Sequence, residues 1–405
     1  MKATDYCKNV FDGTHDTPKP AMEGYKLLTS KNILDGRLDK EDAYYISAED
    51  YAAVNMRSRV KQWDVLFSMI GTVGNVCLVT DENIDFAIKN MGDFSCEDEE
   101  RAKWLYYYLQ SPYAKKLMEN YLNGAVQKFL PLGWLRELDI PEYDDVKKNV
   151  VNFLWDVDAK IANNNAICSN LEAMAKLLYD YWFVQFDFPD ENGKPYKSSG
   201  GKMVWNEDLK REIPAGWTVS RLGNECEILL GGTPDTSKAE YWDGDIPWLN
   251  SGEVAFSPVL SAEKTITKKG MNNSATAFAE AGAVVMSITR YIRPSILGID
   301  ACFNQSVVAV KPTEIFHTSY LYLLMKSNVD RYMKLRTGAQ QPHINKEIVE
   351  NTMLICPSEN VLNEYYQLVE NLYAQQMNAS KETQQLASLR DFLLPMLMNG
   401  QVKVC

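Results

Sequence analysis

Catalysis needs particular residue types at particular spacings, and this chain has the types without the spacings. Its three histidines, His15, His317 and His343, are far apart and in no metal-ligand pattern. Gly231-Gly232-Thr233-Pro234 has the glycines of a phosphate cradle but not the following Lys-Ser/Thr of a P-loop. Pro189-Asp190-Glu191-Asn192-Gly193-Lys194 sets acids before a lysine, as a metal-dependent nuclease does. It lies in a Gly/Ser-rich stretch with no second carboxylate motif, and reads as a turn. No glycine-rich cofactor turn and no Asn/Asp-Pro-Pro-aromatic motif occur, so methyl transfer is not expected of this chain. What remains is the chemistry of binding. Arg57-Ser58-Arg59-Val60-Lys61 contains no acid, and residues 331–346 carry Arg331, Lys334, Arg336 and Lys346 with no Asp or Glu. The net charge is -12, so a polyanion would have to be met by local fields rather than by overall charge.

The elements that hold these residues come in two copies, offset by about 219 positions. Asp12-Gly13-Thr14 is echoed by Gly231-Gly232-Thr233, and Asp64-Val65-Leu66-Phe67-Ser68 by Ala283-Val284-Val285-Met286-Ser287. Leu105–Ser111 returns as Leu321–Ser327, and Asn123-Gly124-Ala125-Val126-Gln127 as Thr337-Gly338-Ala339-Gln340-Gln341. A period this long marks a duplicated module rather than a solenoid. Within the first copy, Trp63–Val79 alternates around Gly71 and Gly74 as strands about a tight turn, and the spacing of Leu105, Leu109, Leu117 and Tyr121 predicts one helix over 102–121. Each copy runs into a long helical stretch. In the first, Val150, Leu154, Val157, Ile161, Asn164, Cys168, Leu171, Ala175 and Leu178 alternate by fours and threes, the period of a supercoiled seam with Asn164 as its register-fixing polar residue. The second, through Leu362, Val369, Leu372, Gln376 and Leu386, is too polar in its middle to stand alone, and pairing with the first would supply its apolar partner.

Composition is that of ordinary folded domains, with no signal-like N-terminus and no apolar run long enough for a bilayer. The eight cysteines form no C-x-x-C pair, and a reduced, cytoplasmic chain without zinc is expected.

At the ends of the two helices, Leu171–Asp187 with its Tyr-Asp-Tyr-Trp-Phe-Val-Gln-Phe, and Leu386–Val404 with its Leu-Leu-Pro-Met-Leu-Met-Asn-Gly, the chain resembles the specificity subunits of type I restriction-modification systems. Gly232-Thr233-Pro234, Ile246-Pro247-Trp248-Leu249 and Gly338-Ala339-Gln340-Gln341 resemble the skeleton of their target recognition domains. Two departures stand out: nothing before Asp12 matches Ile213–Trp217, and Arg290 and Arg293 replace Gly71 and Gly74. The resemblance implies α/β (α+β) target recognition domains in two pseudo-symmetric copies, separated by two long helices forming an antiparallel coiled coil. The corresponding boundaries are a first recognition domain at 1–145, a first long helix at 146–188, a linker at 189–212, a second recognition domain at 213–358 and a second long helix with its tail at 359–405.

It further implies a subunit that is not itself an enzyme. Each head would read one half of a split site in double-stranded DNA, with the helices as a ruler; a helix of roughly 35 residues spans about 50 Å. Two modification (methyltransferase) subunits would dock on the rods, restriction subunits could add to them, and S-adenosylmethionine, ATP and Mg would belong to those partners. Two other readings stand beside it: the recognition subunit of a type II system with a fused modification-cleavage partner, and a pseudo-symmetric coiled-coil adaptor for proteins. Arg suits guanine and Asn or Gln suits adenine in the major groove. Base-reading candidates are therefore Arg290, Arg293, Gln340, Gln341 and His343 in the second head and Thr14, His15, Ser68, Thr72, Asn75, Gln127 and Lys128 in the first. Arg57, Arg59, Lys61, Arg331, Lys334 and Arg336 are the phosphate candidates. Tyr181, Trp182, Phe183, Phe392, Leu393, Leu394 and Met396 are expected to offer apolar surface to the modification subunits.

Overall fold

The computed structural model of the chain describes residues 1–34, 36–123, 129–289, 291–338 and 342–404. They fall into two compact units, Met1–Ile161 with Leu386–Cys405, and Ala162–Gln385.

In the first unit, β1 (Asn9–Asp12), β2 (Tyr25–Leu28), β3 (Tyr45–Ile46), α1 (Ala48–Ser58), β4 (Asp64–Ser68), β5 (Val76–Leu78), β6 (Phe86–Ile88) and β7 (Met91–Ser95) build two sheets. The larger has the antiparallel order β1-β7-β4-β5. The smaller has the order β3-β2-β6, with β2 and β6 parallel. Every residue of β4, β5 and β7 is buried, as short apolar runs covered on both faces require. The helix predicted over 102–121 is two helices, α2 (Glu99–Gln110) and α3 (Pro112–Asn123). Pro112 lacks the N–H that would continue α2 and is suited instead to opening a helix, and the Ser111 hydroxyl accepts from Ala114 N–H at 3.2 Å. The acidic run before α2 serves as its cap: the Asp98 carboxylate accepts from Arg101 N–H at 2.8 Å. α4 (Leu132–Glu137) and the start of α5 (Asp145–Tyr179) follow.

The second unit repeats this plan, with one strand added to the edge of the smaller sheet. Its elements are β8 (Ile228–Leu230), β9 (Trp242–Leu249), β10 (Lys264–Ile266), α6 (Lys268–Asn272), β11 (Ala277–Ala279), β12 (Val284–Ser287), β13 (Pro294–Ile296), β14 (Ala301–Phe303) and β15 (Val307–Val310). The sheet orders are β8-β15-β12-β13 and β10-β9-β14-β11, the latter again with one parallel pair, β9 and β14. Even the small helix after the third strand opens alike: Ser47 accepts from Asp50 N–H before α1, and Thr267 from Gly270 N–H before α6. Gly13 and Gly232, equivalent in the repeat, both press on a neighbouring strand's connection. An added Cβ would lie 2.4 Å from the Ile88 carbonyl oxygen or 2.5 Å from the Ala275 carbonyl carbon, so neither position has room for a side chain. α7 (Thr318–Ser327), α8 (Val329–Lys334), α9 (Lys346–Glu350) and α10 (Glu359–Met398) complete the copy.

The long helices α5 and α10 contain 35 and 40 residues. In the second unit they run antiparallel: Asn164 Nδ2 donates to Glu382 Oε2 at 2.8 Å, and one turn on Cys168 Sγ lies 3.4 Å from Ser380 Oγ. Asn164 is buried there, in the seam position that its heptad gives it. In the first unit Arg390 donates to Asp158 Oδ1 at 2.7 Å, and Asp158 Oδ2 accepts from the Tyr107 hydroxyl at 2.7 Å. Leu394 and Leu397 of α10 join Val150 and Leu154 of α5 in the first unit's core.

α5 ends in a wide π turn, Asp180–Val184, closed by Gln185 N–H donating to the Asp180 carbonyl at 2.8 Å. Phe186 then takes a positive φ of 66° and redirects the chain. The extra residue in this turn swings Trp182 and Phe183 inward. The Phe183 ring meets Tyr320 and Tyr365 edge-on, at centroid distances of 4.9 and 4.8 Å. This corrects the expectation for the aromatic cluster: Trp182 and Phe183 are core residues of the second unit and present no surface. Leu394 is likewise buried in the first unit, with Leu393 packed against the same core. Tyr181 and Phe392 do remain exposed, at 37% and 68%. Met396 is half-buried. No described helix is long and apolar enough to cross a membrane.

Candidate nucleic-acid interface

Each head builds the same pair of touching loops, and the sheet dictates where. In the first head β4 ends at Ser68, whose hydroxyl donates to the Thr72 carbonyl at 2.5 Å and accepts from Asn75 N–H at 2.7 Å. Gly71 and Gly74, at φ of 80° and 98°, supply the left-handed backbone that this turn needs. The loop is then pinned to the segment returning from α3: Leu130 N–H donates to the Met69 carbonyl at 3.0 Å, and Ile70 bridges Phe129. In the second head the Ser287 hydroxyl donates to the Thr289 carbonyl at 2.9 Å. Ile344 N–H donates to the Ile288 carbonyl at 2.9 Å, and Thr289 bridges His343.

This geometry sorts the base-reading candidates. Ser68 is fully buried and both of its bonds go to the turn, so it holds the loop and offers nothing to a base. Asn75 is half-buried and donates its amide to the Ile33 carbonyl at 3.1 Å, which locks the loop rather than aiming outward. Thr72 is exposed at the loop tip. Arg293 and His343 are exposed on the second head's loop pair, with the Arg293 guanidinium 5.6 Å from the ring centre of the exposed Tyr291. Gln127, Lys128, Arg290, Gln340 and Gln341 lie outside the described residues.

Thr14 and His15 belong to a different edge of the first head. Thr14 N–H donates to the Ile88 carbonyl at 3.1 Å, and its carbonyl accepts from Asn90 N–H at 3.1 Å. Both ring nitrogens of His15 face acceptor oxygens, Asn90 Oδ1 at 2.8 Å and Asp12 Oδ2 at 3.0 Å. Asp12 Oδ1 also accepts from Arg57 at 2.6 Å. Asp12 therefore couples a base-reading candidate to a phosphate candidate, residues 42 positions apart in the chain.

Arg57, Arg59 and Lys61 do come together, with Lys8, around a cleft of about 320 Å³. Glu97 sits in its wall and binds both Lys8 and Lys61, the latter at 2.6 Å. Hydrogen bonds from Lys61 and then Lys8 hold its carboxyl below the usual range. Arg59 is exposed and has no acid partner among the described residues, so of this group it is the cation most available to a phosphate. In the second head Arg331 donates to the Asn351 carbonyl at 3.3 Å, Arg336 to the Met333 carbonyl at 3.1 Å, and Lys334 is exposed. No cluster of His, Cys, Asp and Glu suited to a metal occurs among the described residues.

Sequence reasoning passed over Ile70, Phe129 and Tyr291, exposed at 45%, 38% and 68% on these same loops. The repeat register would have found the first two, since they occupy the positions of Thr289 and His343.

Residues 214–386 match the model of the type I restriction modification DNA specificity domain. The chain is 22% identical over 312 residues to the type I restriction enzyme MjaIX specificity subunit of Methanocaldococcus jannaschii, covering 75% of this chain and 69% of that one. It is 21% identical over 317 residues to the HindI specificity subunit of Haemophilus influenzae, covering 65% of this chain and 69% of that one. Its fold resembles the crystal structure of the type I restriction-modification system S subunit from M. genitalium, with a TM-score of 0.57 at 16% identity over 98% of this chain and 95% of that one. With its head built twice on one plan and its two paired long helices, the chain is similar to type I restriction-modification specificity subunits, and its second head matches their DNA specificity domain.

Proposed function

We propose that this subunit chooses the DNA sequence for a type I complex, each head reading one half of a bipartite site in double-stranded DNA. The observation that carries this reading is the match of the second head to a DNA specificity domain whose sheet order and paired loops recur in the first head. The paired loops approach base edges, while Arg57, Arg59, Lys61, Arg331, Lys334 and Arg336 meet phosphates and set position without setting sequence. The long helices fix the spacing between half-sites and dock two modification subunits, to which restriction subunits can add. S-adenosylmethionine, ATP and Mg act on those partners, and this chain contributes no catalytic group. Nothing in either head favours a protein-binding adaptor or a type II arrangement over this one.

The test is to express the chain with its modification partner in a host lacking other methylation and to map the methylated positions. A two-part motif with a fixed gap is expected. Arg293→Ala should then relax one base in one half only, at about 1–3 kcal/mol for a lost bidentate contact. Methylation without any motif would overturn the proposal, and equal weakening on all sequences would make Arg293 a phosphate contact.

A further inference from the structure

The two heads share a fold, and at one position of that fold they carry opposite chemistry. Ile70 and Phe129 in the first head, and Thr289 and His343 in the second, are bridged across the same two loops. In both heads the flanking backbone bond joins the residue before the first member to the residue after the second, Leu130 N–H to Met69 O and Ile344 N–H to Ile288 O. Each pair is therefore of the narrow, non-hydrogen-bonded kind, in which facing side chains stand closest and project from the same side. In the first head the result is one exposed apolar patch, with Ile70 45% and Phe129 38% accessible. In the second it is a hydroxyl beside an imidazole.

An exposed isoleucine and phenylalanine at the rim of a loop pair lose free energy to water unless something apolar covers them. Among groups presented by DNA bases in the major groove, the thymine C5-methyl is the apolar one, while guanine and adenine edges call for donors and acceptors. We infer that Ile70 and Phe129 form a methyl-reading patch, so that the half-site read by the first head contains a thymine recognised by its C5-methyl. The polar Thr289–His343 pair places no such demand on the second half-site. This rests on the DNA-reading function proposed above and deepens it.

The experiment uses the chain in complex with its modification partner and its mapped motif. Each thymine of the first half-site, on either strand, is replaced in turn by deoxyuridine, which removes only the methyl group. One replacement should weaken binding about three- to tenfold, the scale of one buried methyl. The double substitution Ile70→Thr with Phe129→His, which installs the second head's pair, should bind thymine and deoxyuridine DNA equally while leaving selectivity at the second half-site intact. That retained selectivity reports that the variant is folded. A first half-site without thymine, deoxyuridine tolerated at every position, or a variant that still discriminates overturns the inference while leaving the reading function standing. A complex that binds no particular sequence overturns both.

Discussion

At the scale of single residues, the least expected feature is a pair of buried acids in the first head's main sheet. Asp64 and Asp93 are both fully buried, and in the repeat register Ala283 and Ala309 stand in their places. As two carboxylates they lack donors: one oxygen of Asp64 and both oxygens of Asp93 have no partner, while Asp64 Oδ2 accepts from Lys61 N–H at 2.7 Å. A proton held on Asp93 supplies the missing bond between them. Burial raises Asp64 to about 6, against which hydrogen bonds from its neighbours work, and burial with the adjoining Asp64 charge pushes Asp93 far above the carboxylate range. In the unfolded chain both would titrate near the ordinary value of about 4. The native state thus holds more protons, so this contribution to stability is present below pH 4 and is lost as pH rises through about 6 and beyond. Asp93→Asn should therefore raise the melting temperature at pH 8 and flatten the decline between pH 4 and 8. Melts that show the same decline in both proteins would remove the pair from the account. Residue identity alone could not have shown this, because acids in a sequence are ordinarily read as solvated. The same blindness made Ser68 look like a reader of bases: a serine at a turn offers the same hydroxyl whether it is spent on the backbone or held out to a ligand.

Elements were far more legible, because periodicity survives where side-chain direction does not. The offset repeat located both copies of the sheet, and the heptad placed Val150, Leu154, Ile161 and Asn164 on one buried seam. It failed where backbone geometry departs from the regular helix. Nothing in Asp180–Val184 signals a π turn, and without that extra residue the inward rotation of Trp182 and Phe183 cannot be anticipated. The break between α2 and α3 was visible in Pro112, yet apolar spacing continues across it. Asn164 gives the seam a testable device. Asn164→Ala leaves the Glu382 carboxylate without the amide that it accepts from at 2.8 Å, and should cost about 1–3 kcal/mol in urea unfolding. An unchanged midpoint would mean that the pair fixes nothing.

For the whole molecule, charge is the governing quantity. A chain of net charge -12 whose clustered cations are partly spent on Asp12 and Glu97 can release few counterions from DNA. The isolated subunit should bind even its own site only at micromolar concentration or weaker, roughly 10⁻⁶ M at physiological salt. Adding the modification partner should tighten binding and give a mass of two partners to one chain. Tight, selective binding by the subunit alone, unchanged by the partner, would contradict this. Tyr181 and Phe392 are the apolar side chains left exposed among those first assigned to the contact, so they are the places to look for its loss. The membership of α10 in both units also has a consequence for synthesis. Leu394 and Leu397 fill the first unit's core, and Arg390 neutralises Asp158 beneath Tyr107, yet all three leave the ribosome after every residue of the second unit. The unit begun first is completed last, and a nascent chain must carry an open first core until its final helix is made.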